Sequence, residues 1–122
     1  MSATATTTRN VRIDELIDYI RQGKILEAMK EFYADDVVMT EPYHTTKGLA
    51  ANIEREKAFL AGVKEWKNFE VKATVIGGDV SMSEQVMDWV NTDGTAVHGE
   101  QVAVARWKNG KIVHERFYYN MK

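Results

Sequence analysis

No cysteine occurs among the 122 residues, which excludes disulfides, thiolate nucleophiles and cysteine-ligated zinc together. No apolar run approaches the roughly 20 residues that a membrane span requires. Neither sign of charge dominates: 16 Lys and Arg stand against 18 Asp and Glu, for a formal net charge of −2. That balance argues against a nucleic-acid footprint or a basic membrane-surface patch. No serine sits in a GxSxG turn, and no glycine-rich phosphate loop is present, because Gly77 and Gly78 separate two strands and open no helix. The opening MSATATTT has neither a basic start nor an apolar segment, so Met1 to Thr8 reads as a polar lead-in rather than a secretory signal. With the lack of cysteine, this gives the expectation of a cytoplasmic protein.

What is present is one domain's worth of chain with 44% hydrophobic residues, assigned to 9–122. Val11, Leu16, Ile17 and Ile20 form a helical stripe, which predicts a first helix over Val11–Gln22 with Gly23 as its left-handed cap. A second helix is expected over Ile25–Tyr33, completing a helical hairpin. Asp35 and Asp36 break it, and Val37–Glu41 has strand propensity before the single proline, Pro42, stops it. His44–Lys47 reads as a polar loop. A third helix is predicted from about Gly48 to Trp66, with Leu49, Ile53, Leu60 and Val63 on its apolar side and Phe59 and Trp66 flanking them. Its Glu54, Arg55, Glu56, Lys57 and Lys64 are expected to face water.

From Asn68 the periodicity becomes two. Strands are expected over Phe69–Ile76, Val80–Asn91, Thr95–Trp107 and Lys111–Asn120, with TDG and KNG as hairpin turns joining the last three. Helices followed by a long antiparallel meander make an α+β layout, with helices on one face of a curved sheet. Turn length decides which face each strand presents. If KNG is a three-residue loop, Val97, Gly99, Gln101, Ala103 and Ala105 share a face with Val113, Glu115, Phe117 and Tyr119. If NG is a two-residue loop, Lys108 pairs with Lys111, and His98, Glu100, Val102 and Val104 take that place. The first arrangement is preferred, since small residues with polar groups at intervals suit a lined cavity. Likewise Gln85, Met87 and Trp89 enter the cavity if TDG is a three-residue loop, and Glu84 and Asp88 if it is two.

YADDVVMTEP after a helical hairpin, KG opening a long helix, and a meander closing with WKNGKIVHERFYYN together resemble the nuclear transport factor 2-like superfamily, in particular its SnoaL-like branch. The likeness spans about residues 11 to 120. It implies a cone-shaped roll, cystatin-like, in which a strongly curved, mainly antiparallel sheet wraps around three N-terminal helices and encloses a pocket. It also implies a homodimer through the outer sheet face. Here Val102, Val104, Ile112 and Tyr118 alternate with His98, His114 and Arg116. In ketosteroid isomerase, a member of the superfamily, the proton-shuttling base matches Glu41, while the two oxyanion-hole donors fall on Leu16 and Ala103. The acid–base aspartate of polyketide cyclases falls on Phe117.

The candidate catalytic pair is therefore Glu41 and Glu115, with Tyr43, Gln101, Phe117, Tyr119, Trp89 and Phe59 as ligand-binding candidates. Two acids in one dry cavity push their pKa values apart, so one can hold a proton while the other acts as base. This suits cofactor-independent isomerase, lyase or cyclase chemistry on a small hydrophobic or carbonyl-containing molecule. The second reading is a non-catalytic ligand-binding or structural dimeric domain. His44, His98 and His114 lack metal-ligand spacing, so no metal is expected.

Overall fold

The hairpin of helices forms where apolar residues recur at helical spacing. In the computed structural model, which describes residues 11–120, α1 spans Ile13–Arg21 and α2 spans Ile25–Phe32. The expected lead-in, Met1–Thr8, lies outside the described residues. Gly23 has φ +79°, the left-handed cap that the sequence suggests. Tyr33 is extended rather than helical and begins β1, Tyr33–Glu41. Between Tyr33 and Val38 the pairing of β1 slips, and the exposed Asp35 and Asp36 fall in that slip.

His44–Lys47 is not a loop but a short strand, β2, antiparallel to β1 with Glu41 opposite His44. Helix α3 covers Leu49–Ala61 and ends at Gly62, earlier than the apolar pattern suggests. Val63 and Trp66 belong instead to β3, Val63–Gly77. β-branched and aromatic residues suit a strand as well as a helix flank, and Gly62 divides the two. β4 (Val80–Asn91), β5 (Ala96–Lys108) and β6 (Lys111–Tyr118) complete the meander. Among the described residues the sheet order is β2-β1-β6-β5-β4-β3, with only the β1–β6 pair parallel. Three helices and a mixed, curved, unclosed sheet of six strands make the α+β fold. Its core joins Leu16 and Ile17 of α1, Ala28, Met29 and Phe32 of α2, and Val37, Trp107 and Ile112 of the sheet.

Register follows from two turns. TDG is a three-residue loop: Asn91 N–H donates to Thr95 O and Gly94 carries φ +90°. This sends Gln85, Met87 and Trp89 to the helix side. KNG closes differently from the preferred expectation. Lys108 pairs with Lys111 around a two-residue turn whose Asn109 and Gly110 both have positive φ, 54° and 78°. A bulge then follows, since Trp107 pairs with Ile112 and Arg106 with His114, leaving Val113 as the extra residue. The bulge restores the facing pairs Ala105–Glu115 and Ala103–Phe117. The preferred face is thus formed by a different turn. Ile112, expected on the outer face, is fully buried as a consequence.

Candidate functional site

A cavity of about 1270 Å³, open to solvent, lies between the helices and the sheet. Glu41 and Glu115 both line it, as do Tyr43, Gln101, Phe117, Tyr119, Trp89 and Phe59. Its walls also carry groups that the hydrophobic pattern hides, namely Tyr33, Arg55 and Glu56.

Glu41 stands at the end of β1, where Pro42 stops the strand. Tyr119 Oη donates to its Oε1 at 2.7 Å, and Arg55 Nη1 lies 3.7 Å from its Oε2. Burial first, and then this contact, raise the Tyr119 phenol above its usual range. The neighbouring Tyr43 phenol adds to that rise.

Glu115 is inserted from β6 by the bulge and is 4% exposed. Tyr33 Oη donates to its Oε1. Burial pushes the Glu115 carboxyl up to about 7, the charges of Glu41 and Glu56 add to the rise, and the Tyr33 bond and Arg55 oppose it. The Tyr33 phenol is itself held well above its ordinary value, by burial and by Glu115. Glu56 is raised too, chiefly by burial and also by Glu41, against Arg55. One guanidinium therefore acts on three carboxyl groups.

Arg55 and Glu56, expected on the wet side of the third helix, line the cavity instead. Asn52, Arg55 and Glu56 recur at i, i+3 and i+4, a polar stripe with the same period as an apolar one, which Phe59 at i+7 continues with an aromatic ring. Applying helical spacing to polar residues would have found it. Asn52 is fully buried and donates to Thr46 O at 3.1 Å and Gly48 O at 2.8 Å.

Phe59, Trp66 and Trp89 meet as a cluster at the cavity wall, with ring centroids 5.4 to 6.2 Å apart. Asn91 Oδ1 accepts from the Trp89 indole at 3.0 Å, and Gly99 leaves room against that ring. Gln101 donates to Gln85 Oε1 at 2.8 Å. Glu84 and Asp88 do not line this cavity. His98 and Glu100 border it, and there His98 bonds Asp88 at 2.6 Å and Glu100 at 2.8 Å in an exposed string. Among the described residues no cluster of His, Asp and Glu is arranged to hold a metal ion, and no helix is long and apolar enough to cross a membrane.

No protein of curated function matches the chain. Among solved structures, a candidate SnoaL-like polyketide cyclase of Mesorhizobium loti is similar at 25% identity, covering 87% of this chain and 94% of that one with a TM-score of 0.74. A candidate isomerase of Bacillus subtilis (16% identity, 98% and 90% covered, TM-score 0.76) shares the fold. So does a nuclear transport factor 2-like protein of Burkholderia pseudomallei (17%, 98% and 92% covered, TM-score 0.76). The SnoaL-like domain pattern matches residues 13–115, from the first residue of α1 to the buried glutamate of β6. A match running through all three helices and most of the sheet identifies the chain as a member of the SnoaL-like domain family.

Proposed function

We propose that this protein is a cofactor-independent acid–base catalyst acting on a small, largely hydrophobic carbonyl compound. The observation that carries the reading is the contrast between two carboxyl groups lining one cavity. Glu41 accepts from Tyr119 and faces a guanidinium, whereas Glu115 is buried and retains its proton up to about neutral pH. In this reading Glu41 takes a proton from the carbon beside the carbonyl, and Glu115 returns one. The apolar and aromatic walls receive the rest of the substrate.

The test is α-proton exchange. With 2-tetralone in D₂O followed by NMR, the protein accelerates exchange, and Glu41→Gln lowers the enzymatic rate by about 10²- to 10⁴-fold. Because the acid must hold its proton, activity falls as pH rises through about 7, and Glu115→Gln removes the catalysis that depends on that proton. A wild-type rate equal to buffer overturns the reading.

Binding without catalysis is favoured by one observation. Leu16 and Ala103, which match the oxyanion-hole positions of ketosteroid isomerase, are apolar and buried here, 3% and 4% exposed. We further propose a homodimer through the outer sheet face. It is supported by the exposure of Met82, Val102 and Tyr118, with Val102 and Tyr118 directly paired.

A further inference from the structure

Removing a proton beside a carbonyl leaves negative charge on oxygen, and stabilising that oxygen is usually the largest catalytic term. The donors around the two carboxyls are largely committed. Tyr119 donates to Glu41, Tyr33 to Glu115 and Gln101 to Gln85. Arg55 differs. Only its Nη2 makes hydrogen bonds among the described residues, to Asn52 Oδ1 at 3.3 Å and Met39 Sδ at 3.8 Å. Its Nε is buried without a partner. Nη1 lies 3.7 Å from Glu41 and 4.0 Å from Glu56, within ion-pair range but too far for a hydrogen bond.

The guanidinium is nevertheless fixed in place. Asn52 gives its amide hydrogens to two backbone carbonyls, so its oxygen must point at Arg55. A cation clamped on one nitrogen, with its other terminal nitrogen beside the base and at the cavity wall, is preorganised for an incoming oxygen.

We infer that Arg55 binds the oxygen of the substrate carbonyl through Nη1, so that negative charge passes from Glu41 to that oxygen within reach of one guanidinium. This inference rests on the acid–base reading above. When Glu41 takes the proton, the C–H electron pair becomes the new C=C bond and the carbonyl π pair moves onto oxygen. Glu41 becomes neutral as the oxygen becomes anionic, so the net charge of the site is unchanged and Arg55 exchanges one anionic partner for another. The substrate class narrows to compounds whose carbonyl oxygen is exposed beside the acidic carbon.

The probe is 2-naphthol, a neutral phenol that presents an ionisable oxygen on an apolar ring and has no exchange step. Binding is followed by tryptophan fluorescence, using Trp66 and Trp89 at the cavity wall, and ionisation of the bound phenol by its ultraviolet absorption. Wild type is expected to bind naphthol and lower its ionisation midpoint. Arg55→Gln is expected to weaken binding by about tenfold to a hundredfold, the loss of a charged hydrogen bond, and to raise that midpoint. Arg55→Lys falls between, because an ammonium restores the charge without the planar fork. A merely structural role would move the melting temperature and leave the ionisation midpoint alone. Failure of wild type to bind at millimolar naphthol overturns the inference, as does a folded Arg55→Gln protein with unchanged affinity and midpoint. If Arg55→Gln does not fold, unchanged values in Arg55→Lys overturn it. Absent tetralone exchange with an Arg55-dependent naphthol midpoint would refute the acid–base reading alone.

Discussion

Glu115 shows how a single residue can be favourable for chemistry and unfavourable for stability. Its folded pKa, about 7, lies above the ordinary 4.5, so the folded state binds more protons than the unfolded one between those values. Stability therefore falls as pH rises through that window and levels off above it, by roughly 3 kcal/mol. Glu115→Gln keeps the shape of the protonated form and cannot ionise. Thermal melts of wild type and variant should nearly coincide at pH 4.5 and diverge by pH 8, with the variant the more stable; parallel curves would contradict the buried acid. His98 contributes to both curves, since Glu100 and Asp88 raise it, and its stabilising protonation is lost over an overlapping range. Comparing the two proteins cancels that contribution. Of the residues in the site, Glu41 was legible because a strand-end acid before proline is a local pattern. Arg55 was not legible, because a charged residue on a helix looks the same whether it faces water or a polar cavity.

At the level of elements, the β5–β6 turn governs the site more than any side chain in it. With a two-residue turn and no bulge, Glu115 would lie opposite Val104 on the outer face. The extra residue, Val113, places it opposite Ala105 and inside. The turn depends on positive φ at Asn109 and Gly110. Adding a methyl at Gly110 meets only ordinary contact with Arg12, so its cost is backbone strain. Gly110→Ala should destabilise the fold by about 1–2 kcal/mol. Gly77→Ala, where φ is not positive and nothing lies within 4 Å, should change stability far less. Denaturant unfolding of the two variants checks the contrast, and equal losses would mean that the turn is not the constraint. Strand existence here was readable from alternation and turn residues. The loop length was not, because KNG fits either closure and only pairing against the core selects one.

For the whole molecule, the outer sheet face presents exposed apolar side chains. Val102 is 36% and Tyr118 49% exposed on neighbouring strands. Arg116 stacks over the Tyr118 ring at 4.9 Å. If this face joins two copies, wild type sediments as a dimer at micromolar concentration and Val102→Glu shifts it to monomer, while tetralone exchange stays measurable. A monomeric wild type would remove the proposal.

The sequence by itself determined the fold class, the two-helix hairpin and the meander, because these rest on periodicity and turn chemistry within a few residues, while the likeness to SnoaL-like proteins is carried by the segments YADDVVMTEP and WKNGKIVHERFYYN. Tertiary structure alone decided that His44–Lys47 pairs as a strand, that Ile112 is buried, and that Asn52, Arg55 and Glu56 turn inward. Each of those depends on what lies across the chain in space. The meaning of a polar side chain is set by the neighbour it meets, and the sequence does not specify that neighbour until the sheet has curved over the helices.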